Sequence, residues 1–157
     1  MGKKKTWKEK LHDSKDLPKI VKLEGKMAEK WGEGTMVIPA PIEVDELMKK
    51  VKKGKLTTIK LIRNSLARKH GTTIACPMTT GIFASIAAKA AEEEKEQGKK
   101  RITPWWRTLK ENGVLNPKYP GFPQLQIALL EAEGFKVIPK GKKNFAVVDY
   151  QKYLIEP

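Results

Sequence analysis

Two tryptophans stand side by side at positions 105 and 106, between Pro104 and Arg107, in a chain of 157 residues that has four tryptophans in all. An indole is neither a useful acid nor a useful base. Its chemistry is stacking, edge or face, against other flat and apolar groups. The same rings also make good core. Alternation along an extended segment would send one indole inward and lodge the other under the C-terminal helix, and on the residues alone both roles stay open. The single thiol, Cys76, comes just before a helix start, where a thiolate nucleophile can form; a buried small hydrophobe is the plainer reading. One cysteine closes no internal disulfide, and His12 and His70 are too far apart for zinc-ligand spacing. No Ser/His/Asp arrangement or paired carboxylates stand out, and Gly32-Glu33-Gly34 lacks the lysine of a phosphate loop. The expected chemistry is therefore binding, with no catalytic residue, no metal and no cofactor.

Thirty-two Lys and Arg against 18 Asp and Glu leave a formal net charge of +14. The cations are spread along the whole chain, so a polyanionic partner is the natural expectation. No apolar run is long enough to span a bilayer, since residues 81–91 are interrupted by Lys89. The chain starts Lys3-Lys4-Lys5 and continues into charged sequence rather than a signal-peptide core, which points to the cytoplasm and to no membrane partner. The lysine run itself reads as a solvated arm.

Periodicity and turn chemistry define the elements that must carry these residues. Residues 1–41 are polar and broken by Pro18, Gly25, Gly32 and Gly34, with Trp7 and Trp31 as anchors. They read as a loosely organised basic N-terminal extension. Its last part, 36–42, is too proline-rich for a central strand and reads as an extended lead-in. The compact domain covers 42–135. Within it, Val44, Leu47, Met48 and Val51 form the stripe of a helix over 43–51, and Thr57 or Thr58 caps a second helix that stops at His70-Gly71. A third helix, capped within 78–80, has an alanine-rich body over 81–92. Asn112-Gly113 between extended runs predicts a hairpin over 101–115, with Trp105 and Trp106 near the surface on its first strand. A fourth helix covers 124–133, and residues 136–157 form a terminal β-hairpin and tail. The fold class is α+β and mainly helical: a winged helix-turn-helix, in which the third helix enters a groove and the hairpin reaches phosphates. Lys55 and Lys60 flank the presumed helix-turn-helix as phosphate contacts. Thr58 and Ile59 open its first helix, while Thr79, Thr80 and Ser85 are small polar groups near the start of the next.

Four segments occur in one order: Lys53-Gly54-Lys55-Leu56-Thr57-Thr58, then Pro104-Trp105-Trp106-Arg107, then Asn112-Gly113, then Gln126-Ile127-Ala128-Leu129-Leu130-Glu131-Ala132-Glu133-Gly134. Together they resemble the C-terminal domain of the alkylguanine-DNA alkyltransferase family, and within it the alkyltransferase-like proteins that lack the acceptor cysteine. The resemblance spans residues 44–135. In that family the motif is Pro-Cys-His-Arg-Val, whose cysteine takes an alkyl group from guanine after a histidine, through water and a glutamate, draws off its proton. Trp105 and Trp106 stand at the cysteine and histidine positions, so the resemblance implies a protein that is not an enzyme. It implies binding to double-stranded DNA as a monomer, with an alkylated guanine flipped into a lesion pocket made by Pro104, Trp105, Trp106 and Arg107, and recruitment of repair proteins. Arg107 would support the wing, and Glu133 would pack or cap. The family's nucleotide-rotating tyrosine falls at Ile59 and its arginine finger near Thr80, so both devices are replaced here; Arg63, Arg68, Lys89 and Phe83 have the size to substitute. Two rivals are a winged-helix regulator without damage recognition and a residual alkyltransferase using Cys76.

Overall fold

Proline and capping residues set most of the boundaries in the computed structural model, which describes residues 5–157; Lys3 and Lys4 of the basic start lie outside that range. Six α-helices and seven short strands are formed among the described residues, as an α+β fold requires. No helix among them is long and apolar enough to cross a membrane.

Helix α4 (Ile59–His70) lies where the caps predict it. The Thr58 hydroxyl accepts the Leu61 N–H at 3.2 Å, and Gly71, at φ 66°, closes the last turn in the left-handed region. Helices α3 (Pro41–Lys49) and α5 (Pro77–Glu96) both begin earlier than expected, at a proline. A first-turn residue has no intrahelical use for its N–H, so proline loses nothing there. The Glu43 carboxylate accepts the Ala40 N–H at 2.9 Å and caps α3. On α5, Ala84, Ala87, Ala88, Ala90 and Ala91 are all buried, and these small residues let neighbouring helices approach closely.

The N-terminal segment is better organised than its composition suggests. Helix α1 (Trp7–His12) lies along α5, where the Glu93 carboxylate accepts the backbone N–H groups of Trp7 and Lys8 at 3.1 Å each, and Leu11 enters the core. Strand β1 (Lys19–Lys22) and helix α2 (Gly25–Trp31) follow. Strand β2 (Thr35–Ile38), expected to be a lead-in, is instead the middle strand of a sheet, antiparallel to β1 and parallel to β4 (Ile74–Ala75). The correction has a simple cause: Pro39 and Pro41 both lie beyond Ile38, so the ladder never needs their missing N–H groups.

Strand β3 (Thr57–Thr58) pairs in parallel with β5 (Thr108–Leu109). The hairpin expected over 101–115 does not form. Trp105–Arg107 and Glu111–Gly113 are 3-10 turns, β5 is taken by β3, and the Leu115 N–H bonds to the Phe145 carbonyl at 2.9 Å. The Asn112-Gly113 signal marks a real turn, with Asn112 at φ 65°, but not one that joins two paired strands. Helix α6 (Gln124–Ala132) and the antiparallel hairpin of β6 (Val137–Lys140) and β7 (Asn144–Val147) form as predicted, and the tail beyond them, expected to trail, makes a 3-10 turn over Tyr150–Tyr153 and bridges Leu154 to Leu56. One core gathers Val44, Met48, Ile62, Leu66, Ala88 and Trp105; a second, under the hairpin, gathers Leu56, Leu109, Leu115, Leu130, Phe135 and Val147.

Candidate functional site

The Pro104-Trp105-Trp106-Arg107 turn is anchored by side-chain hydrogen bonds from Trp105, Trp106 and Arg107. In a 3-10 turn successive side chains diverge by about 120°, so the two indoles part company. Trp105 is fully buried, its Nε1 donates to Glu92 of α5 at 3.1 Å, and its ring meets Tyr119 edge-on at 5.3 Å. Trp106 is half-buried and donates Nε1 to Glu133 at 2.7 Å, just past the end of α6. Arg107 forks onto the same carboxylate through Nε and Nη2 at 2.9 and 2.8 Å, and its Nη1 reaches the Val51 carbonyl at 2.7 Å. Burial pushes the Glu133 carboxyl up, but the bonds from Arg107 and Trp106 outweigh it and hold it below the usual carboxylate range. Glu133, expected to pack or cap, is therefore the counter-ion of a clasp that ties α6 to the chain after α3. The expectation of indoles near the surface on a strand is corrected. Packing places one indole in the core and the other beside the C-terminal helix.

The cations converge elsewhere. A cavity of about 470 Å³ opens between the first turns of α4 and α5, the Glu111–Gly113 turn and the terminal hairpin. Ile59, Pro77 and Val114 give it an apolar wall, while Lys60, Arg63 and Lys110 bring three cations from two elements against the single carboxylate of Glu111. Asn116 and Asn144 complete the lining, and the two residues before Asn144, Lys142 and Lys143, are exposed at the hairpin tip. Arg63 is held in place: its Nε donates to the Ala75 carbonyl at 3.2 Å and its guanidinium lies over the Trp31 ring at 5.5 Å. Burial lowers its pKa and the nearby Glu111 carboxylate counters that, and a guanidinium so far above neutrality stays charged. None of Pro104, Trp105, Trp106 and Arg107 lines this cavity.

The other expected contacts divide sharply. Ile59 and Lys60 are on the cavity wall, and Lys55 is exposed. Thr58 is buried as the α4 cap, its hydroxyl oxygen accepting from Leu61. Thr80, expected at the DNA, is also buried; its hydroxyl donates to the Cys76 carbonyl one turn back, at 2.7 Å. Thr79 is half-buried with its hydroxyl enclosed, and the Ser85 hydroxyl donates to the Lys118 carbonyl. Phe83 faces a different cavity, of about 340 Å³, formed with Leu17, Pro41 and Ile86 against the N-terminal segment. Lys110, Asn116 and Asn144 escaped the sequence reading. Lys110 had a signal in its place beside the Asn112-Gly113 turn; the two asparagines are brought in by the pairing of Val114 with Ala146, which no local pattern announces. Cys76 is 9% exposed and packs with Leu23 and Met36. His70 is held by Glu43 at 2.7 Å. Among the described residues, no group of three or more His, Cys, Asp or Glu side chains is placed to hold a metal ion.

No family model and no curated protein matches the chain. Its fold is similar to that of S. pombe ATL in a crystal structure with DNA, at a TM-score of 0.50 and 18% identity, over 74% of this chain and 94% of that one. A crystal structure of S. pombe Atl1 in complex with damaged DNA containing O6-carboxymethylguanine gives a TM-score of 0.49, with the same identity and coverage.

Proposed function

We propose that this protein binds double-stranded DNA without chemistry, as a winged helix-turn-helix, at the cation-lined cavity between α4, α5 and the β6–β7 hairpin. The observation that carries the reading is the convergence of Lys60, Arg63 and Lys110 on one cavity beside the hairpin lysines, in a chain of net charge +14. The fold supports it, being shared with a protein crystallised with DNA. Phosphates would be captured by Lys60 and Lys110, with Arg63 pre-positioned by Trp31 and the Ala75 carbonyl. Alkyl transfer has no nucleophile at positions 105 and 106, and the thiol of Cys76 is buried.

The same cavity would admit a base turned out of the stack, an alkylated guanine included. Its volume lies within the range of about 300 to 1,000 Å³ that small-molecule pockets occupy. Extrusion costs a few kcal/mol, least for a damaged base. The base would lie against Ile59, Pro77 and Val114, because Trp105 belongs to the core. Fluorescence anisotropy with labelled duplexes, plain and carrying one O6-alkylguanine, tests both parts. Log affinity should fall linearly with log salt, and Lys60→Ala/Lys110→Ala should flatten the slope by about 1.8, two phosphates at about 0.9 each. An unchanged slope in the double variant overturns the site, whereas equal affinity of the wild type for both duplexes overturns only the recognition of the alkylated base.

A further inference from the structure

We propose that the cavity between the N-terminal segment and α5 docks an acidic peptide segment of a partner protein, which buries a bulky apolar side chain there and sets its carboxylates against Lys10 and Lys15. The inference stands apart from the DNA-binding reading above. The cavity holds about 340 Å³ and has apolar walls of Leu17, Pro41, Phe83 and Ile86, brought from the turn after α1, the start of α3 and the middle of α5. Its one lining carboxylate, Asp13, is bonded to Lys5. Two further lysines line it. Lys10 lies over the Trp7 ring at 4.1 Å, and Lys15 is exposed; neither makes an ion pair among the described residues.

Charge complementarity selects the occupant. Two lysines without counter-ions beside apolar walls match a segment that carries carboxylates next to a large apolar residue: the side chain fills the cavity while the carboxylates steer and orient it. A second copy of this chain, itself at +14, brings mostly like charge. The duplex proposed above has its own place. At about 100° per residue, Phe83 lies about 200° round α5 from Gly81, so the peptide cavity and the cation-lined cavity occupy opposite sides of one helix, and both ligands can be held at once. The N-terminal segment thereby gains a use, since it supplies Lys10, Lys15 and Leu17.

The test titrates the full chain with a short capped peptide in which a leucine-phenylalanine pair is flanked on both sides by acidic residues, read by calorimetry and amide chemical shifts. Saturable binding of one peptide per chain should move Ser14, Leu17, Phe83 and Ile86 most. Lys10→Ala/Lys15→Asn should weaken it about five- to tenfold, the worth of two partly exposed ion pairs, and leave the salt slope of duplex binding unchanged. Asparagine is chosen because position 15 sits at φ 53°, which that residue tolerates. Replacing the apolar pair of the peptide by serines should abolish binding. No binding of the peptide at millimolar concentration, equal binding of the serine peptide, or an unweakened double variant overturns the docking site. A duplex that moves the same four residues assigns the cavity to DNA, and a dimer whose light scattering drops on adding the peptide assigns it to a second copy of the chain; either overturns the inference. Absence of duplex binding overturns the DNA-binding reading alone.

Discussion

Replacing Glu133 by alanine removes the one carboxylate that Trp106 and Arg107 share, and the cost follows from the burial of the pair. The Glu133 side chain is 8% exposed and that of Arg107 13%, so solvent does little to screen either charge. Without Glu133, Arg107 keeps its bond to the Val51 carbonyl but loses its counter-ion, and the Trp106 indole N–H loses its acceptor. Breaking a buried pair by deleting one partner costs about 3 to 5 kcal/mol. With a urea m-value of about 2 kcal/mol per molar, the unfolding midpoint of Glu133→Ala should drop by about 1.5 to 2.5 M. Glu133→Gln keeps the shape and one acceptor, so its loss should be nearer 1.5 to 3 kcal/mol, about what a hydrogen bond to a charged group is worth. Tryptophan fluorescence during urea unfolding reads both. Because the folded carboxyl is held below its ordinary value near 4.5, its contribution is complete above about pH 4.5 and fades as pH falls through the lowered folded value. The advantage of wild type over Glu133→Gln should therefore narrow on acidification. A midpoint shift below about 0.5 M for Glu133→Ala, the effect of an exposed ion pair, would refute the reasoning.

Trp105→Phe should cost about 1 to 3 kcal/mol, by leaving the Glu92 carboxylate without its indole donor, and should not alter the salt slope of DNA binding; a variant that kept its stability but lost affinity would place Trp105 at the ligand instead. Incubation with an alkylated oligonucleotide should leave the mass of the folded protein unchanged, and an adduct on Cys76 would contradict its assignment as a packed side chain. Thr58→Ala should lower stability by about 0.5 to 2 kcal/mol through loss of the α4 cap, measured by urea unfolding; no change would mean that the hydroxyl bond to Leu61 contributes nothing.

Where the determinants were local, the sequence was readable. Thr58 and Gly71 bound α4 because a hydroxyl and a left-handed glycine act within one turn, and the alternation around Phe145 gave away the terminal hairpin. Three prolines mislead for a positional reason: at Pro41 and Pro77 the ring opens a helix, and Pro39 lies one residue past a strand. The site was harder to read. Asn112-Gly113 looks like a hairpin turn, but β5 had a better partner in β3, and β7 claimed Leu115 through Phe145. That exchange also decided the tryptophans. Once residues 105–107 form a 3-10 turn, carboxylates on α5 and beyond α6 meet the two indole N–H groups, and neither glutamate is marked by spacing from residue 105. The polyanion expectation rested on composition; the place where the cations gather depends on tertiary pairings.

Amide chemical-shift mapping with a short duplex tests most directly that DNA is held at that place. The account predicts that the largest shifts fall on Lys60, Arg63, Gly81, Lys110 and Asn144, around the cation-lined cavity. Shifts that gather instead around Leu17, Phe83 and Ile86, at the cavity beside the N-terminal segment, or that leave Lys60 and Lys110 unmoved at saturating duplex, would contradict it.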